Sequence, residues 1–192
     1  MAILVSDTPV IIDLERGTLL DDLFRLPFEF AVPDLLFRRE LAGPLGDRLV
    51  ALGLRVEELT AIELTRATTV RRERKELSTP DTFAFAIAEC RGWPLLTGDG
   101  GLRRLAIECR VEFHGVLWIC DQFENGGVPL PRLHAGLTVL SSHPRCLLPR
   151  CANASIDTQN SLAPVLENEF RGGERSARGC QVASAISMAG QK

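Results

Sequence analysis

The chain has 192 residues, 45% of them hydrophobic and 24% charged, with a formal net charge of −3. Such a length suits one compact domain of roughly 140–150 residues plus an extension, and the composition is that of an ordinary globular core. The small negative charge excludes a global pull toward nucleic acid and argues against a protein that coats RNA or DNA. It does not exclude an enzyme whose cations bring positive charge to a phosphate.

The N-terminal run Met1 to Ser6 has no basic start and meets an acid at Asp7, unlike a signal peptide. No run approaches the ~20 apolar residues needed to cross a bilayer. Six cysteines (Cys90, Cys109, Cys120, Cys146, Cys151 and Cys180) are widely spaced. Reduced thiols and a cytoplasmic location are the expectation.

In chain order, residues 3–7 read as a buried strand, followed by a helix from Pro9 to Arg16 that stops at Gly17. Leu19 to Leu26 has helical spacing, and Phe28 to Val32 reads as a strand. Pro33 opens a helix carrying Leu35, Leu36, Arg39 and Glu40, which Gly43-Pro44 breaks. Leu49 to Val56 reads as a helix end and a short strand. Thr60 to Leu77 is a long, solvent-edged helix. Ser78-Thr79-Pro80-Asp81 leads into a buried helix over Phe83 to Cys90, and Gly92 stops it. Leu95 to Thr97 resumes the sheet. A helix (Leu102 to Cys109), a brief strand (Val111 to Phe113) and a helix (Gly115 to Glu124) follow, with one more helix over Leu130 to Leu140. Helices alternating with short apolar strands predict an α/β fold, with a mostly parallel central sheet between two helical layers. From Ser141 onward the pattern fades. A C-terminal extension, loosely ordered apart from one short helix around Leu162 to Phe170, is expected over 141–192.

Four acids stand out. Asp7 and Asp99 each follow a strand, at the sheet edge where open α/β sheets bind ligands. Asp81 starts a helix, and Glu40 sits within one. Each has a plain structural reading as well. Asp81 completes a Ser-x-x-Asp capping box, Asp99 is a routine turn residue in Gly98-Asp99-Gly100-Gly101, Asp7 can cap the next helix, and Glu40 can be an exposed helix acid. Together they make a stronger case. Several carboxylates at one point raise each other's pKa unless a cation screens them. Hard oxygen ligands suit Mg²⁺ or Mn²⁺, and paired cations ~4 Å apart can activate water and hold a scissile phosphate.

The order strand-Asp7-Thr8-Pro9, Pro33 with Glu40-Leu41, Leu77-Ser78-x-x-Asp81 and Leu95-Leu96-Thr97-Gly98-Asp99 resembles the PIN domain, a Mg²⁺/Mn²⁺-dependent ribonuclease fold. The resemblance covers about 1–140 and is most specific over Leu77 to Ala106. It implies that Asp7, Glu40, Asp81 and Asp99 bind metal and that Thr97, or the Thr8 hydroxyl, orients them. Cleavage would proceed without a covalent enzyme intermediate. It also implies single-stranded RNA as substrate and, as in many bacterial members, a toxin silenced by a small antitoxin protein. One departure is plain: Gly100, Gly101 and Leu102 stand where many members carry another acid, which puts the second metal in question.

Arg103 and Arg104, just after Asp99, are candidate phosphate contacts. The run Arg71-Arg72-Glu73-Arg74-Lys75 reads as a solvated helix face, with RNA contact as the other reading. His143, Cys146 and Cys151 lack a fourth zinc ligand at a suitable spacing. His114 and His134 read as packing or surface residues. Pro9 stands where a haloacid-dehalogenase phosphatase needs its second Asp, and a receiver's paired acids and late Lys are missing. The rival reading is a catalytically weak PIN-like binding or scaffold module, dimeric through Gly115 to Glu124. Carboxylates pointing into one pocket favour the nuclease, and Glu40 or Asp81 facing solvent favours the module.

Overall fold

Alternation along the strands builds the fold. In β1 (Ala2–Ser6), Leu4 enters one core and Val5 the other, because successive side chains leave a strand on opposite faces. The same switch occurs in β4 (Leu95–Leu96), where Leu95 packs with Val5 and Leu96 with Leu4. With β2 (Phe28–Pro33), β3 (Arg55–Glu57) and β5 (Phe113–His114) they form one sheet in the order β3-β2-β1-β4-β5. Every neighbouring pair is parallel, so the sheet is wholly rather than mostly parallel. This computed structural model describes residues 2–142. The expected extension beyond Ser142, its short helix, and the His143, Cys146 and Cys151 group lie outside the described residues.

One face of the sheet carries α1 (Thr8–Arg16), α2 (Leu20–Leu23), α4 (Pro44–Ala51), α8 (Val116–Asn125) and α9 (Leu130–Ser142). Their Ile11, Leu14, Leu23, Leu49, Ile119 and Leu137 share a core with Phe30 and Val32. The other face carries α5 (Ala61–Glu73), α6 (Thr79–Arg91) and α7 (Gly100–Cys109), packed through Val70, Phe85 and Leu105. The result is a three-layer α/β/α arrangement. α6 lies on β1, β2 and β4 and against α5 and α7. Its run Ala84-Phe85-Ala86-Ile87-Ala88 is fully buried, and the three alanines let the helix sit close to the strands. Burying a side chain such as Phe85 stabilises the fold by roughly 1.5–3 kcal/mol.

The chain leaves β1 for β2 and β3 on one side, then crosses to β4 and β5 on the other. The order therefore reverses between β1 and β4, and the carboxyl ends of those two strands form the crevice typical of such sheets.

Several boundaries differ from expectation. α6 starts at Thr79 and α7 at Gly100, because Ser78 and Asp99 accept hydrogen bonds from Asp81 N and Leu102 N upstream of the apolar runs. α5 ends at Glu73, and the following turn sends Leu77 into the core rather than along the helix. Pro44 does more than break a helix. It opens α4 at the first turn, where its missing N–H is unneeded. The helix expected from Pro33 is three residues of α3 (Asp34–Leu36) followed by a π-helical turn over Phe37–Leu41.

Candidate active site

Asp7 is the first residue past β1, and its side chain is 1% exposed. Both carboxylate oxygens are engaged. Oδ1 accepts from Val10 N at 3.2 Å, capping α1, and Oδ2 accepts from the Thr97 hydroxyl. Burial pushes the carboxyl up to about 7. The Thr97 and Val10 hydrogen bonds oppose that rise, while the neighbouring charges of Asp81 and Asp99 add to it. This is a carboxylate that the fold keeps desolvated and crowded.

Thr97, fully buried just past β4, links two of the acids. Its hydroxyl donates to Asp7 and accepts from Asp99 N at 3.0 Å. The β-branched side chain leaves few rotamers, so the hydroxyl is aimed by the backbone itself. Asp99 is part-buried and caps α7, Oδ1 accepting from Leu102 N at 2.8 Å. Asp81 occupies the first turn of α6. Its Oδ2 accepts from Ser78 N at 2.8 Å in a full capping box. Asp7, Asp81 and Asp99 thus each meet a helix N-terminus, where the helix dipole favours negative charge. The capping reading of each is correct, and it coexists with their mutual proximity.

Glu40 breaks from this group. It lies in the π-helical turn, is exposed, and has no hydrogen-bond or ion-pair partner among the described residues. It is not among the leading influences on the Asp7 carboxyl, where Asp81 and Asp99 are. Among the described residues no three His, Cys, Asp or Glu side chains stand close enough to hold a metal ion together. The four expected ligands are therefore not gathered as one ready-made shell among the described residues. Asp7, Asp81 and Asp99 each commit a carboxylate oxygen to a cap, and Glu40 lies exposed in the π-turn.

The two threonines also differ. Thr97 makes the bonds expected of an orienting hydroxyl. The Thr8 hydroxyl is buried and has no hydrogen-bond partner among the described residues. An orphaned buried hydroxyl costs about 1–3 kcal/mol. Beside a desolvated carboxylate it leaves a hard oxygen donor unused, which suits a Mg²⁺- or Mn²⁺-type ligand set.

Arg103 is tied to the scaffold, with Nε–H donating to the Thr97 carbonyl at 3.2 Å. Gly115 makes room for it, since a Cβ there would lie 2.3 Å from an Arg103 terminal nitrogen. That role for Gly115 carried no signal in the sequence. Arg104 is exposed and unpaired among the described residues. His114, at the end of β5, stacks on Trp118 with ring centroids 3.9 Å apart, and burial pushes its pKa down.

The fold is wholly parallel α/β/α, with Asp7 and Asp99 just past the ends of β1 and β4, on either side of its topological switch point. A family model described as a PIN domain matches residues 3–161, so the chain belongs to the PIN domain family. PIN domains are generally nucleases and typically use divalent metals. No curated protein matches the chain. Among the described residues, no helix is long and apolar enough to cross a membrane.

Proposed function

We propose that this chain is a divalent-metal-dependent endoribonuclease that hydrolyses phosphodiester bonds of single-stranded RNA. The observation that carries the reading is buried Asp7, pushed up to about 7 and joined through Thr97 to Asp99 at the switch point. Keeping a carboxylate desolvated beside two other acids is unfavourable, and a binding module has no use for it. A cation offsets that cost.

Asp7 and Asp99 would be the central ligands, with Asp81 beside them and Glu40 joining only if the π-turn rearranges. A bound Mg²⁺ or Mn²⁺ would polarise the phosphodiester and activate a water. The chain's own residues do the rest. Thr97 fixes Asp7 Oδ2 and the start of α7, the caps hold the acids in place, and burial keeps bulk water from Asp7. Arg104, exposed beside Asp99, is better placed for a phosphate than Arg103, whose Nε–H serves the Thr97 carbonyl.

The exposure of Glu40 favours a second reading, a catalytically weak PIN-like binding or scaffold module. A toxin role with a small antitoxin partner, and a homodimer, belong to the first proposal. The apolar side of α8 is spent on the protein's own core (Val116, Ile119, Phe123), while large exposed apolar side chains occur on α5 at Ile62 and Leu64.

Titrating Mg²⁺ and Mn²⁺ into wild-type and Asp7→Asn protein, with bound metal and cleavage of a mixed single-stranded RNA pool as readouts, decides between them. Metal-dependent cleavage that vanishes in the variant is expected. Metal binding without cleavage would support the module, and absence of metal binding would sink the site.

A further inference from the structure

A second feature lies on the α5–α6 side of the sheet. Thr68, Arg71 and Arg72 from α5, with Thr79, Thr82 and Phe83 from the first turns of α6, line a cavity of about 260 Å³. No acidic side chain lines it, in a chain whose net charge is −3. Arg71 is pinned, with Nη1 donating to the Lys75 carbonyl at 3.1 Å. Arg72 is exposed and has no partner among the described residues. Among the described residues no ion pair joins Arg71 or Arg72 to Glu73 or Glu76, and Arg74 pairs with Glu108 on α7. Phe83 is part-buried, so an aromatic side chain sits beside two arginines and three threonines.

We propose that this cavity is a nucleotide subsite for the RNA strand adjoining the scissile bond, in which Arg71 and Arg72 hold a phosphate and Phe83 stacks a base. The inference rests on the ribonuclease reading above. Position is compatible with it. Thr79, Thr82 and Phe83 share the first turns of α6 with Asp81 but lie roughly 100–160° around the helix axis from it, so a strand reaching both would pass across the start of α6. Composition supports it, since cationic side chains beside an aromatic face are how single strands are gripped without sequence readout. The volume lies just under the usual range for ligand pockets, about 300–1,000 Å³, and fits one nucleotide better than a folded partner.

The test measures equilibrium binding of a short fluorescein-labelled single-stranded RNA over a range of salt, in an Asp7→Asn background with Mg²⁺. Adding Arg71→Ala and Arg72→Ala together is expected to weaken binding at least about tenfold. It should also flatten the salt dependence by about 0.7 for each arginine removed. Phe83→Leu, which keeps the packing, is expected to weaken binding about tenfold at unchanged salt slope. Arg25→Ala with Arg110→Ala removes two positive charges elsewhere, in the turns after α2 and α7, and is expected to leave affinity as it was. Equal affinity for the double variant and its parent would overturn the subsite and leave the cavity to an acidic protein segment. A parent that binds no RNA would overturn it as well. Neither result touches the nuclease reading, which stands or falls on metal-dependent cleavage by the wild type.

Discussion

The two flanks of β1 treat their acids differently. Toward β4, Asp7, Thr97 and Asp99 are joined by hydrogen bonds, and Asp81 is locked in a capping box. Toward β2, Glu40 hangs from a π-helical turn with no partner among the described residues. The first flank is held by helix N-termini, where backbone N–H groups fix the carboxylates. The second depends on the register of one irregular turn, which no side-chain bond enforces at Glu40. Acids fixed as caps are preorganised, whereas Glu40 has only the backbone of an irregular turn to place it.

The contrast can be broken at its strongest point first. Asp7→Asn should lower cleavage by more than the 10–100-fold typical of losing an orienting partner, with the fold intact because Asn still caps α1. Cleavage at the wild-type rate by this variant would falsify the site. Thr97→Val keeps the volume but removes the link between Asp7 and Asp99. An activity loss of about 10–100-fold, with a parallel drop in metal affinity by calorimetry, is expected.

Asp7 also predicts a pH dependence for protein held in chelator. Its folded pKa lies near 7 and its ordinary value at 3.8, so the folded state keeps a proton that the unfolded state releases. The neutral carboxyl's contribution is fully present below 3.8 and lost as pH rises through about 7, up to about 4 kcal/mol in all. Denaturant melts should therefore show lower stability at pH 8 than at pH 5, and Asp7→Asn should flatten that slope. An unchanged slope in the variant would assign the effect elsewhere.

On the weaker flank, a Cβ at Gly46 would lie 2.4 Å from the Leu41 carbonyl oxygen and 2.9 Å from Phe37 Cζ. Gly46→Ala should cost about 1–3 kcal/mol by overpacking the π-turn. It should also change metal affinity only if the register of Glu40 matters. Glu40→Gln gives the smallest effect, less than about tenfold on cleavage, well short of losing an orienting partner outright. A loss as large as that of Asp7→Asn would show that the π-turn rearranges in the working enzyme and would erase the distinction between the flanks.

Much of this was legible in the sequence because it is local. Short apolar runs, alternating only at Phe28 to Val32, with helices between them gave the α/β class. Ser78-x-x-Asp81 and the acids after Val5 and Leu96 gave the caps and the strand ends. Those signals rest on backbone hydrogen bonds within a few residues, and the tertiary fold had little freedom to overrule them. The extent of the helix after Pro33 was not legible, since nothing in Phe37 to Leu41 announces i→i+5 bonding. The clearance Gly115 gives to Arg103 was equally hidden, because twelve positions separate the two residues in the chain.

By itself the sequence determined which residues could cap, bury or turn, and therefore that Asp7, Asp81 and Asp99 would sit at helix starts or strand ends. Only the tertiary structure decided which of them share a crevice. The order β3-β2-β1-β4-β5 places the ends of β1 and β4 side by side, so Thr97 reaches Asp7 across ninety positions of chain. Only the tertiary structure also desolvated Asp7 and left the Thr8 hydroxyl without a partner among the described residues. The physical reason is range. Hydrogen bonds to neighbouring backbone are written into short stretches of sequence, whereas burial and the meeting of distant charges arise when the whole sheet closes around them.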